Sequence, residues 1–322
     1  MSDEIPFAKQ VKNEIALNPY SDEQKKFILS GFARNGGVFS IGKRPSLTLH
    51  TELACVAKLL FSCLKDVYSL SPNIVYEKVK RFRKGLVYSV QVEDSKLYQV
   101  MEDLEIFKDG LERIPPVEGV KRKNLRYLLI GSFLANGSVN NPSSKKTSYF
   151  LEMAFSDKED ALVIKRKLNS FKEEKTMSFK YIKRREKHVL YLKRSDQISV
   201  FLSYIGSTEA MFKFENVRIM KDDINNNNRL SICDSANYSK TLEAAKKDID
   251  DIELVLKYKP LDLFDEKTKA VIKKRLEMKD ANYREIAEAV TSEGINITKS
   301  GVFHILQTLR KQASEYKERF NK

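Results

Sequence analysis

Few residue types in this 322-residue chain could carry bond-making chemistry. Imidazole comes only from His50, His188 and His304, and thiol only from Cys55, Cys63 and Cys233, none at a spacing that zinc uses. A His-rich metal site or a His-based triad would have to be assembled from very few parts, which removes weight from most hydrolytic chemistries. No metal or cofactor is expected. What the chain has in quantity is positive charge, 58 Lys and Arg against 44 Asp and Glu for a net +14. Residues 121–229 hold 23 of the cations against 12 carboxylates, so one third of the chain carries most of the excess. A region that basic attracts polyanions, because each Lys or Arg set on a phosphate releases condensed counterions. Its densest part is Lys180, Lys183, Arg184, Arg185 and Lys187 around an expected hairpin tip, with Phe179 and Tyr181 interleaved and Lys193 and Arg194 just beyond. These are candidate contacts to a DNA backbone.

A second set of candidates lies near the C-terminus. Val302, Leu306 and Leu309 recur at i, i+4 and i+7, the buried face of a helix that starts near Ile297. Opposite that face Lys299, Ser300, Phe303, His304, Gln307 and Arg310 project outward, behind Thr298 as a candidate N-cap. Two helices precede it, one over 266–279 and one over 283–290 with Ile286, Ala287 and Val290 on one side, broken by Gly294. Together they read as a helix-turn-helix whose third helix, with Thr298 and Lys299 at its phosphate-facing end, enters the major groove of double-stranded DNA.

The elements that must position these residues contain an internal repeat. Residues 27–38 and 128–139 align at an offset of 101, which sets Phe32 on Phe133, Asn35 on Asn136, Gly36 on Gly137 and Val38 on Val139. Each copy reads as a helix. The first opens with a capping box at Ser21 and Gln24, and both are expected to end in a left-handed turn at Gly36 or Gly137. The small pairs Ser30-Gly31 and Gly131-Ser132 permit close approach of two backbones, so each copy should pack on the other and bring Asn35 and Asn136 together. After the first copy come a hairpin over 38–51, a helix over 52–69, strands over 73–82 and 86–93 and a helix over 95–107. After the second come 138–156, a helix over 157–172, strands over 177–184 and 188–194 and a helix over 196–205. The fold class is therefore α+β, two pseudo-symmetric αββαββα halves followed by an all-α domain. The expected boundaries are 1–225 for the first domain (halves about 1–115 and 117–215, joined at Pro115-Pro116), 226–262 for a linker containing a helix, and 263–322 for the helix-turn-helix.

Paired helices of this form, a hundred residues apart in an αββαββα setting, resemble the LAGLIDADG homing endonuclease fold over residues 20–210. In that family each helix ends in a carboxylate that binds divalent metal over the scissile phosphates. The matching residues here are Asn35 and Asn136, neutral amides that anchor a hard cation poorly, so no catalytic residue is assigned and the chain is not expected to be an enzyme. A degenerate LAGLIDADG domain followed by a helix-turn-helix resembles, more narrowly, the WhiA family of bacterial transcriptional regulators. Asn225, Asn228-Arg229, Cys233, Ala236-Asn237 and Lys240-Thr241 match that family's bridging signature, and Thr298-Lys299-Ser300-Gly301-Val302 with His304 matches its reader helix. Ile224 and Ile232 depart from it, standing where Arg and Asn are expected.

The resemblance implies a promoter-binding regulator linked to cell division and chromosome segregation, and to sporulation in spore formers, acting in the cytoplasm at the nucleoid. An active endonuclease is one alternative. An adaptor that binds RNA polymerase, a division protein or another regulator is a second. The acidic Met1-Ser2-Asp3-Glu4 start and the absence of a long apolar window argue against export and against a membrane partner. The acidic run Asp248, Asp250, Asp251 and Glu253 opposes the basic middle of the chain, and is expected to clamp the reader domain against it when DNA is absent.

Overall fold

The computed structural model describes residues 5–79, 85–109, 112–144, 148–170 and 177–320; the expected strand end at 80–82 and helix end at 171–172 lie outside them. The chain forms two compact units that divide after Lys221.

The first unit opens with α1 (Phe7–Leu17), followed by α2 (Asp22–Gly36), β1 (Gly37–Ser40), β2 (Ser46–Thr51), α3 (Ala54–Ser62), β3 (Asn73–Val79), β4 (Gly85–Glu93) and α4 (Leu97–Asp103). A short pair, β5 (Phe107–Lys108) and β6 (Glu112–Arg113), leads into the second half. There α5 (Arg122–Asn136), β7 (Gly137–Val139), β8 (Leu151–Phe155), α6 (Lys158–Asn169), β9 (Lys180–Arg184), β10 (Lys187–Leu192) and α7 (Ser195–Tyr204) repeat the order. Both halves build an antiparallel four-stranded sheet of the same topology, β1-β2-β4-β3 and β7-β8-β10-β9. Alternation along the strands decides which face is buried. Leu47 pairs with Val92 and Leu49 with Val90, and in the second sheet Met153 pairs with Leu190, all at most 4% exposed.

The core between the halves is the α2–α5 pair. A Cβ on Gly31 would stand 2.0 Å from the Leu128 carbonyl oxygen, and one on Gly131 2.0 Å from that of Ile28, so both glycines exist to let backbones touch. Lys123 pairs with Glu23 near the starts and Asn136 bonds the Asn35 carbonyl at the ends, so the helices run parallel. The Ser21–Gln24 capping box forms as the sequence predicts. The left-handed turns do not. Gly36 stays within α2, and Gly37 and Gly137 take φ of −85° and −81°, because each helix runs straight into an extended strand. What requires glycine at 137 is contact, since a Cβ there would lie 2.2 Å from the Phe133 ring.

The expected helix over 52–69 is α3 continued by a π-helical turn, Cys63–Val67, whose Cys63 and Leu64 are buried. Next to Asn35, Arg34 is 3% exposed and forms an ion pair with Asp160 of α6. Arg113 bonds the same carboxylate at 2.7 Å, and the Arg34 guanidinium also donates to the carbonyls of Glu105 and Ile114. This buried cluster ties α2 to the opposite half.

The expected linker over 226–262 is not a break. A single helix, α8 (Thr208–Tyr258), runs through it, because neither Gly nor Pro interrupts its 51 residues between Gly206 and Pro260. In the second unit α9 (Glu266–Glu277), α10 (Tyr283–Ser292) and α11 (Lys299–Phe320) pack with the end of α8 around Ile252, Val255, Val271, Ile286, Val290, Val302, Leu306 and Leu309. Asp265 caps α9, and Asn282 with Glu285 forms a capping box on α10. Gly294, at φ +93°, makes the left-handed turn out of α10 that the sequence expects of a helix breaker there.

Candidate nucleic-acid interface

Three sets of candidate residues came from the sequence, and each has its own fate. The paired amides meet. Asn136 donates its Nδ2–H to the Asn35 carbonyl at 2.6 Å. Asn35 turns inward, 6% exposed, donating to the Gly31 carbonyl at 2.8 Å and Ser132 Oγ at 3.2 Å, while its Oδ1 is buried without a partner. Two neutral amides whose donors are spent on helix backbone do not fit a hard divalent cation, which needs anionic oxygens aimed at one point. Among the described residues no cluster of three or more His, Cys, Asp or Glu side chains is arranged for a metal.

The basic hairpin forms where the spacing predicts, with β9 and β10 paired Lys187 to Arg184 through Tyr191 to Lys180, and Arg185 in the turn at φ +52°. Lys180, Lys183, Arg184, Arg185, Lys187, Lys193 and Arg194 are all exposed. They are not equivalent. Arg184 pairs with Glu152 at 2.8 Å over the Phe150 ring, Lys187 donates to Ser156 Oγ and Arg194 forms a bidentate pair with Asp196. Lys180, Lys183, Arg185 and Lys193 have no anionic partner among the described residues, and since Lys193 lies 5.7 Å from the centre of the Tyr191 ring, the other three are the most available cations of the group. Of the interleaved aromatics, Phe179 is 1% exposed and belongs to the core, while Tyr181 bonds His188 Nδ1 at 2.8 Å.

In the second unit Thr298 is the N-cap of α11, its Oγ1 accepting from the Gly301 N–H at 3.2 Å. Val302, Leu306, Leu309 and Ala313 are at most 3% exposed. Lys299, Ser300, Phe303, His304 and Gln307 stand out on the opposite side, with the Phe303 ring 6.1 Å from Tyr283 and 5.8 Å from His304.

Arg310 shares that exposed side, but it is engaged. Its guanidinium bonds Asp248 of α8 at 3.0 Å and lies 3.6 Å from Asp251, which also pairs with Lys317. Asp248 is 2% exposed and accepts from the Tyr283 hydroxyl. Burial raises its carboxyl above the ordinary range, against the pull of the Tyr283 hydroxyl and the Arg310 and Arg275 charges. Two of the four residues of the acidic run are therefore engaged, while Asp250 and Glu253 are exposed. Asp248 and Asp251 are committed to α10 and α11 of their own unit, because a carboxylate buried at that seam has to be paired there.

The family models match in the same order as these elements. Residues 22–107 match the WhiA N-terminal LAGLIDADG-like domain, 125–223 the WhiA LAGLIDADG-like domain and 227–313 the WhiA C-terminal HTH domain. The chain belongs to the WhiA family. A probable cell division protein WhiA of Exiguobacterium sibiricum is 34% identical, covering 95% of each chain. Its counterpart from Lactobacillus gasseri is 33% identical, covering 98% of this chain and 99% of its own. The crystal structure of full-length WhiA from Thermatoga maritima, 21% identical, matches with a TM-score of 0.57 over 97% of this chain and 99% of that one, which shows a shared fold. The repeated halves of this WhiA-family chain are thus degenerate LAGLIDADG-like domains, and its last three helices belong to the WhiA helix-turn-helix. Sequence reading missed one participant in the second unit, Arg275 of α9, because its burial depends on how four helices meet and leaves no local pattern.

Proposed function

We propose that this WhiA-family chain is a sequence-specific double-stranded DNA-binding transcriptional regulator with no nuclease activity. The observation that carries the reading is the stripe on α11. Lys299, Ser300, Phe303, His304 and Gln307 are exposed on a rigid helix held by four buried apolar residues, behind a capped N-terminus. Residues so placed reach base edges and flanking phosphates in a major groove, whereas a helix recruited only for packing would bury them. Arg310 acts as an internal ion pair here and is not assigned to bases. Lys180, Lys183 and Arg185 add salt-sensitive affinity for backbone phosphates. The inward-turned Asn35 supports a scaffold without the metal-dependent chemistry of the LAGLIDADG enzymes. The relatives' name, cell division protein, supports a role in division, carried out in the cytoplasm at the nucleoid; no helix among the described residues is long and apolar enough to cross a membrane.

Titration of the full chain into labelled promoter and random duplexes at two salt concentrations with Mg²⁺ present tests this. Uncut DNA, overall binding that weakens for Lys299→Ala and a promoter preference that falls for Gln307→Ala are expected, a side chain that reads a base being worth about 1–3 kcal/mol of discrimination. Cutting would reinstate the endonuclease. Absence of any preference would favour an adaptor that reaches its promoter through RNA polymerase or another protein.

A further inference from the structure

One motif is not absorbed by the reader helix. The family signature on α8 recurs every three to four residues, Asn225, Asn228-Arg229, Cys233, Asn237 and Lys240-Thr241, and so lines one side of the helix. Residues 222–240 are exposed throughout. At its C-terminal end the stripe runs into a cavity of about 420 Å³ within the second unit. Lys240 and Thr241 of α8, Arg275 of α9, Asn282 and Arg284 at the start of α10 and Lys299 of α11 line it.

The charge there is one-sided. Four cations and no carboxylate line the cavity. Arg284 is balanced by Glu288 at 2.9 Å, but Lys240 and Lys299 have no anionic partner among the described residues. Arg275 is the decisive residue. It is 0% exposed, spends Nη2 on the Ala281 carbonyl, and leaves Nε and Nη1 buried with no acceptor. Asp248, the carboxylate that acts on it most strongly, is bonded to Tyr283 and Arg310. Apart from the Tyr283 ring 5.9 Å away, this guanidinium is buried with two unmet donor atoms at a cationic cavity, an arrangement that an anion would complete. The other groups suit a tetrahedral oxyanion. Lys299, the first residue of α11, brings its ammonium and the positive end of that helix to the edge of the cavity. Asn282 contributes no negative charge, and its oxygen is spent on the N–H groups of Arg284 and Glu285.

We propose that this cavity is a phosphate-binding site, and that its occupant is a backbone phosphodiester of the DNA on which α11 docks. The inference rests on the DNA-binding reading above and adds a contact that reading does not contain. Lys299 belongs to both surfaces, so a phosphate flanking the groove entered by α11 sits over Arg275 and beside Lys240. The α8 signature then fixes register on the duplex while the α11 stripe reads sequence.

The test compares the full-length wild type with Lys240→Gln and Ala244→Glu, both on α8 at positions that are at least partly exposed. Binding to promoter and random duplexes is measured across a chloride titration. Removal of one phosphate-binding cation predicts that Lys240→Gln weakens both duplexes about five- to tenfold near 0.15 M salt and makes the log-affinity against log-salt slope shallower by about one. Ala244→Glu, which puts a carboxylate beside Arg275, should weaken both further. Unchanged affinity and slope in both variants, with Gln307→Ala still lowering promoter preference, would overturn the cavity and leave the reader helix standing. Failure of the wild type to bind any duplex would remove both. Inorganic phosphate at constant ionic strength separates the sources. Duplex that displaces bound phosphate supports the backbone assignment, and phosphate that stays bound to duplex-saturated protein overturns it in favour of a free phosphate ligand.

Discussion

At the scale of single residues, burial decides what a side chain is able to do. Asn35 was legible in the sequence as the residue standing where a carboxylate is expected, but not as an amide folded back on its own helix. Asn35→Asp should therefore not restore a metal site. It would set a carboxylate oxygen against the Gly31 carbonyl in a position 6% exposed, and should lower stability by about 3 kcal/mol in a denaturant melt. Lys12 of α1 is a second case, with burial lowering its ammonium to about 8 against help from the Glu52 charge. Because the folded state releases this proton before the unfolded state does, stability rises as pH climbs from about 8 towards the unfolded value of 10.5 and lacks that gain below it. Lys12→Met should accordingly stabilise the protein by about 2–3 kcal/mol at pH 7 and show almost no advantage near pH 10.5, by urea melts across that range. No sequence pattern announces such a lysine, since its surroundings are assembled from distant segments.

Among elements, two interfaces dominate. The small pairs on α2 and α5 showed from sequence that two backbones touch, and the packing supports that reading through Gly31 and Gly131. Gly131→Ala would drive a Cβ to 2.0 Å from the Ile28 carbonyl oxygen, where only separation of the helices relieves it. A loss of roughly 3 kcal/mol or more is expected in the melt, near the upper end of overpacking costs. Beside it, Asp160→Asn would leave Arg34 and Arg113 facing a neutral amide in a site where Arg34 and Asp160 are 3% and 2% exposed. Breaking a buried pair by removing one partner typically costs about 3–5 kcal/mol, so this single change should rank among the most damaging in the first unit by thermal denaturation. The sequence held no sign of this cluster, because its members come from α2, β6 and α6. In the second unit the same logic makes Arg310 a strut between α11 and α8. Arg310→Ala should lower the unit's stability by leaving the buried Asp248 with the Tyr283 hydroxyl but no bonded cation, while leaving promoter preference less changed than Gln307→Ala does, a split readable by pairing melts with titrations.

For the molecule as a whole, α8 connects two cores that are each built from their own segments. Its middle, 222–240, buries nothing, so Ser231→Pro should cost helical circular dichroism but leave the melting of both cores near wild type. Coincident loss of both transitions would show that the bare stretch carries stability. The repeat, the αββαββα order of each half, the capped amphipathic helix near the C-terminus and the concentration of positive charge were all legible in the sequence. All of these are local or periodic, and hydrophobic period, capping chemistry and glycine placement write them along the chain. It also carried the continuity of α8, in the absence of Gly and Pro from Thr208 to Tyr258, although polar composition there suggested a linker. Tertiary structure alone decided which charges are spent and which are free. Arg34, Arg310 and Arg275 are one residue type in similar helices. Their roles as a tie between halves, a strut on α11 and a cation awaiting an anion were set by which carboxylates the fold brought within reach and how much water it left around them.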